Sequence, residues 1–188
     1  MEQKATGKVV KAFGNLLHVS FEGDIRQGEV VFVEVDGLSL KAEVIEIAGQ
    51  EAKIQVFEDT RGVKFGTSVQ FTGILLEAEL GPGLLASIFD GLQNPLEGIA
   101  DLNGFFLPRG VYLPPLDREK RWAFDPVAKT GEKLRRGGVL GTTLEGRFSH
   151  KIMVPFSSFG TYQITWVIPS ASYTIDTVVA KAVDEQGR

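Results

Sequence analysis

Leu17, Val19 and Phe21 alternate with His18, Ser20 and Glu22. The same period of two returns in Val31, Val33 and Val35 around Glu34, and in Ala52, Ile54 and Val56 around Lys53 and Gln55. Such alternation sends one face of a strand into a core and the other to water. Gly14-Asn15, Gly23-Asp24, Asp36-Gly37, Gly49 and Gly62 interrupt it with residues that accept the positive φ of tight hairpins. Five or six short strands at this spacing, from Thr6 to about Gly73, predict a small closed barrel. Along "LKAEVIEI" the apolar parity slips between Val44 and Ile45, which predicts a β-bulge that helps the strand bend.

The pattern changes near Leu80. Leu84, Leu85, Ile88 and Leu92 recur at helical spacing, with Asp90 and Gly91 placed to close such a helix. In "NPLEGIADL", Asn94 is a capping residue and Pro95 suits the first helical position. Two short helices are therefore expected between Gly83 and Leu102. A second β-rich region is expected from near Phe105, since Pro108, Pro114, Pro115 and Pro126 break any helix. "YTIDTVVAKAV" reads as a closing strand pair, and "EQGR" as a frayed end. The fold class is mainly β: a small barrel, a short helical segment, then a second β-rich, barrel-sandwich-like domain.

Composition narrows the chemistry. The 188 residues are 43% hydrophobic and 23% charged, with a net charge of -4. That balance supports a buried core and argues against a general nucleic-acid binder, which needs a broad basic face. Arg118 to Arg136 runs the other way, with seven Lys or Arg against three acids, and is read as a solvated basic surface. There is no Cys, and His18 and His150 lie far apart without partners at zinc spacing. "MEQKATGK" lacks the apolar core of a signal peptide, and no apolar run is long enough to cross a bilayer. A cytoplasmic location without membrane insertion is expected.

"GPGLLASIFDGLQNPL", Gly81 to Leu96, has the look of a phosphate loop but lacks the parts. A G-x-x-x-x-G-K-[ST] cradle needs amide donors, a Lys and a hydroxyl. No Lys follows these glycines, Pro82 removes one N–H, and no Gly-Lys-Thr or Gly-Lys-Ser occurs anywhere in the chain. G-x-G-x-x-G fails too, because Gly81-Pro82-Gly83 runs into Leu84, Leu85 and Ala86. The stretch is read as a sharp turn into an amphipathic helix.

"ELGPGLLASIFDGLQNPLEGI" nevertheless resembles a segment of the catalytic A subunit (alpha chain) of V-type and A-type rotary ATP synthases. F-type beta subunits carry a looser relative of it. "GKVVKAFGNLLHVSF", "GEVVFVEVDGLSLKAEVIEIAGQEAKIQVFEDTRGVKFGTSVQFTG" and "HKIMVPFSSFGTYQITWVIPSASYTIDTVVA" are similar to that family's amino-terminal third, in the same order. The resemblance implies a crown-forming β-barrel over residues 1–73. It implies the start of a nucleotide-binding domain over residues 74–109, and an inserted "bulge" domain over residues 110–188. The whole subunit would alternate with B subunits in a ring around a central shaft, with peripheral stalk subunits meeting the bulge domain. It would use Mg-ATP and ADP, coupling hydrolysis or synthesis to proton or sodium transport at the membrane periphery. That family's P-loop, general-base Glu and magnesium ligands match nothing here. No catalytic, cofactor-binding or metal-ligating residue is therefore assigned, and the chain is expected to be a fragment without ATPase activity of its own.

Other readings come from other classes. "KTGEKLRRGGVLGTTLE…HKIMVP" also resembles biotinyl and lipoyl carrier folds, with Lys151, between His150 and Ile152-Met153, as the modified residue. That requires Lys151 at an exposed hairpin tip, whereas the turn is expected around Gly146. A docking module is the other alternative. Phe105, Phe106, Tyr112, Trp122, Phe124, Phe148, Phe156, Phe159, Tyr162 and Trp166 make the second half aromatic-rich. Most are expected in the core, with "FFLPRGVYLPP" as the candidate contact or linker. Asp59, Arg61 and Lys64 form a candidate anion site, set against ordinary surface charges on a turn.

Overall fold

The computed structural model describes residues 4–85, 87–104 and 106–187. The chain divides into two compact units, Met1–Ala78 with Gly98–Leu113, and Glu79–Glu97 with Pro114–Arg188.

The first unit holds β1 (Thr6–Phe13), β2 (Leu16–Glu22), β3 (Glu29–Val35), β4 (Leu38–Ala48), β5 (Glu51–Val56) and β6 (Ser68–Leu75). They close into an antiparallel barrel in the order β1-β2-β5-β4-β3-β6, with β6 returning to β1. The alternating residues fill it: Leu17, Val19, Val31, Val33, Ala52, Ile54 and Val56 are buried, joined by Leu40, Val69 and Phe71. Asp36 and Gly37 both have positive φ, as the two-residue turn between β3 and β4 requires.

The bulge falls where the parity slips. Val44 pairs with Ile54, but Glu46 pairs with Lys53 and Ile47 with Ala52, so Ile45 is the extra residue. Opposed residues share a face. The inserted residue thus sets Val44 and Ile47 on one face of the strand, with Val44 buried and Ile47 exposed beyond the bend.

One barrel carboxylate went unread in the sequence. Glu29 is 1% exposed and accepts hydrogen bonds from the backbone N–H of Arg26 at 2.9 Å and of Gly73 at 2.5 Å. It joins the start of β3 to the end of β6. Glu29→Gln keeps one acceptor but turns an NH2 toward the other amide. The barrel is expected to lose about 2 kcal/mol, the typical worth of a charge-assisted bond. Denaturant unfolding followed by far-UV circular dichroism checks this.

The segment Arg109–Tyr112 packs onto the same unit. Gly110 N–H and the Tyr112 hydroxyl donate to the two oxygens of Glu58, and Lys41 N–H donates to the Tyr112 oxygen.

The second unit contains β7 (Trp122–Pro126), β8 (Lys133–Arg135), β9 (Val139–Glu145), β10 (Phe148–Met153), β11 (Thr161–Val167), β12 (Ala171–Tyr173) and β13 (Ala180–Val183). A four-stranded sheet runs β10-β9-β7-β12, and a three-stranded sheet runs β13-β11-β8. Leu116, Phe124, Ala128, Val154 and Ile164 are its buried apolar residues.

Four expectations need correcting. Only one helix forms among the described residues, α1 (Leu96–Asn103), directly after Pro95. Leu84, Leu85, Ile88 and Leu92 are not helical, although their spacing is. Side-chain acceptors capture the amides that a helix would need: Asp90 Oδ1 accepts from Leu92 and Asn94, and Phe89 bridges to Pro95. Asp90 thus closes a loop rather than ending a helix. The second β region starts at Trp122, not near Phe105, which lies outside the described residues. The expected final strand pair is two strands that do not pair with each other: β12 joins β7 and β13 joins β11, parted by a turn from Thr174 to Thr177. At the tail, Gln186 and Gly187 N–H both bond to Asp184, while Arg188 lies outside the described residues.

Candidate functional site

The glycine stretch does bind an anion, and the anion is internal. Gly83 N–H and Leu85 N–H donate to Oε1 of Glu145 at 2.7 and 2.8 Å. Glu145 ends β9 and is 5% exposed. Gly83 reaches it with a φ of 114°, a conformation that favours glycine, beside Trp122 and Leu116. Ser87 Oγ donates to Gly83 O and tightens the turn.

The other oxygen, Glu145 Oε2, faces Nδ1 of His150 at 3.3 Å without hydrogen-bond alignment. The contact is an ion pair only when the imidazole is protonated. His150 sits on β10 opposite Thr143 of β9. On the chain before the turn, Gln93 clasps Glu79 through both main-chain groups. Arg118 bonds Asp176 at 2.7 Å and also bonds Glu79, and the Glu79 bond chiefly holds its guanidinium more firmly protonated than a free one.

Nucleotide does not fit this turn. Two of its amides are committed to Glu145, Pro82 has no N–H, and no Lys stands beside it. A triphosphate would have to displace a buried carboxylate without a cation to neutralise it. Glu145, Gln93 and Arg118 escaped the sequence reading. Glu145 lies 60 residues or more from the amides it accepts, and no local motif marks it.

The remaining candidates separate in space. Lys151 lies within β10, paired with Thr142, and the hairpin tip is at Gly146-Arg147. It is not the exposed turn residue that a carrier lysine must be. Asp59 pairs with its neighbour: Arg61 N–H bonds Oδ1 and Arg61 Nε bonds Oδ2, holding the Asp59 carboxyl below its usual value. Arg61 thus neutralises Asp59, and the Lys64 N–H bonds Thr67 Oγ1 in the following turn. His18 packs edge-on to Phe13.

The aromatic residues are mostly outside the core, contrary to expectation. Phe124 is the buried one among those named and described. Phe106 is 85% exposed, Phe159 74%, and Phe148, Phe156 and Trp166 are exposed as well. The small sheets leave a narrow interior, too tight at Gly141 for even a methyl group beside Phe124. Cations cover some outer rings: Arg136 lies over Phe159 and Lys181 over Trp166.

Comparison with known proteins joins the two units. Residues 9–73 match the sequence profile of the ATP synthase alpha/beta family β-barrel domain. Residues 113–188 match that of the ATPsynthase alpha/beta subunit barrel-sandwich domain. The chain belongs to the ATP synthase alpha/beta family. It is 67% identical over its full length to the V-type ATP synthase alpha chain of Protochlamydia amoebophila, and 57% to that of Chlamydia pneumoniae, covering 32% of each. It is 58% identical over 99% of its length to the alpha chain of Chlamydia trachomatis serovar D, covering 31%. The chain thus spans about a third of the curated relatives it matches. For an ATP synthase alpha/beta family member, the carrier-lysine alternative has no support: the barrel-sandwich match covers Lys151 and accounts for the strands around it. Among the described residues, no helix is long and apolar enough to cross a membrane.

Proposed function

We propose that these residues serve a V-type ATP synthase alpha chain as assembly scaffold. The barrel places the subunit among its A and B neighbours in the ring, and the barrel-sandwich unit faces peripheral stalk subunits. The whole subunit would bind Mg-ATP or ADP, hydrolyse or make ATP and couple that to ion transport, peripheral to the membrane. The observation that carries this reading is 67% identity, without a break in coverage, to a V-type alpha chain.

A graft tests it. The matching segment of the Protochlamydia amoebophila alpha chain is replaced by these residues. The chimera is expected to assemble with its partner subunits and hydrolyse ATP. A soluble chimera that folds but stays out of the ring contradicts the proposal. The 188-residue chain alone is expected to bind Mg-ATP more weakly than about 100 μM, or about 5.5 kcal/mol, by calorimetry.

A further inference from the structure

The outer face of the three-stranded sheet is basic. β8, β11 and β13 carry Lys133, Arg135 and Lys181 and no Asp or Glu, in a chain whose net charge is -4. The register sets all three cations on one face. Lys133 opposes Gln163, Gln163 opposes Val183, and Lys181 opposes Trp166. Arg135 lies two residues along the strand from Lys133, and Lys181 two from Val183, so both share the face of that row. Ile164 turns the other way and is buried, while Lys133, Arg135, Gln163, Trp166 and Lys181 are exposed.

Aromatic rings border this face. Where β8 stops and β11 starts, Arg136 stands 5.2 Å from the centroid of the Phe159 ring, and Phe156 lies against Gly137. Both rings are exposed. Lys181 covers Trp166 in the same manner at 6.0 Å. The cations have no acidic partner of their own: no ion pair among the described residues engages Lys133, Arg135, Arg136 or Lys181. The flanking acids turn elsewhere, since Glu132 accepts from Lys129 N–H and Asp184 from Gln186 N–H.

Arg and exposed aromatic residues are what protein interfaces enrich. An acidic partner complements the charge, and its apolar side chains cover the rings. Nucleic acid fits less well, because four cations on an acidic chain fall short of the roughly 6–10 phosphates that such binders neutralise. We propose that this face docks an acidic amphipathic segment of a partner subunit, with carboxylates on Lys133 and Arg135 and apolar side chains against Phe156, Phe159 and Trp166. That the partner is a subunit of the complex rests on the assembly reading above; the charge and ring chemistry do not.

The indole N–H resonances give a direct readout. A synthetic peptide of Glu-Glu-Leu-Phe repeats is titrated at low salt into the full 15N-labelled chain, with resonances assigned through Trp166→Phe. The Trp166 signal is expected to shift saturably with a Kd below about 1 mM. The signal of Trp122, on β7 of the other sheet, should stay still. Raising the salt to about 0.5 M should weaken binding at least about fivefold, because exposed charges are screened. Lys133→Glu/Arg135→Glu should weaken it at least about tenfold, and Lys181→Glu, on the opposite edge strand, at least about threefold. Phe159→Ser should also weaken it at least about threefold. Lys151→Glu, on the other sheet, should change nothing. The titration needs no assembled ring, so its failure removes this docking face alone, whereas a graft that stays out of the ring removes the assembly reading. No saturable Trp166 shift, an equal loss in Lys151→Glu, or tighter binding of poly-uridylate or phosphatidylserine vesicles than of the peptide would overturn the proposal.

Discussion

Glu145→Ala is expected to destabilise the barrel-sandwich unit by about 4 kcal/mol. The substitution strips the acceptor from Gly83 N–H and Leu85 N–H, and a buried donor left unmatched costs about 1–3 kcal/mol. It also opens a hole where a side chain of 5% exposure stood. Glu145→Gln keeps an oxygen at the Oε1 position and should cost about 1–2 kcal/mol, the charge-assisted part. Urea unfolding followed by tryptophan fluorescence reads this unit selectively, because Trp122 and Trp166 both belong to it. Equal midpoints for Glu145→Ala and the unaltered chain would mean that the turn holds itself without the carboxylate.

Gly141→Ala is expected to cost about 3 kcal/mol in the same unit, at the upper end for overpacking. A methyl group there would sit 2.2 and 2.3 Å from two ring carbons of Phe124 and 2.8 Å from Asp125 O. The ring is buried, and β9 is held by β7 on one side and β10 on the other. Phe124→Leu alone should also destabilise, by removing ring volume. In the double variant Gly141→Ala/Phe124→Leu, the smaller side chain makes room for the methyl. The pair should then cost less than the sum of the singles by at least about 1 kcal/mol, a coupling typical of residues in contact. Additive losses from the same fluorescence-monitored unfolding would place the strain in the backbone contact with Asp125 instead.

The barrel was readable because its information is local. Leu17, Val19, Ala52 and Ile54 each declare a face by alternation, and the slip at Ile45 declares its bulge. The Gly146 turn was readable for the same reason, and it removed Lys151 from the hairpin tip. The stretch from Leu84 to Leu92 misled because helical spacing is only a weak prior. Its amides find acceptors in Asp90 nearby and in Glu145 far along the chain, and only the first lies within reach of a sequence window. The outer aromatic residues misled for a different reason. Composition predicts burial on average, but the small sheets of this unit bury Phe124 and leave Phe148, Phe156, Phe159 and Trp166 exposed. Glu145 itself carried no signal: a glutamate before a Gly-Arg turn looks like surface charge until the chain folds the glycine stretch onto it.

The most direct measurement follows the amide resonances of Gly83 and Leu85 while Mg-ATP is added to the 15N-labelled chain. With Glu145 bonded to both, the two signals should hold their positions at millimolar nucleotide and exchange slowly with solvent, and Glu145→Ala should abolish that protection. Saturable movement of either signal in the unaltered chain would mean that the turn accepts phosphate after all.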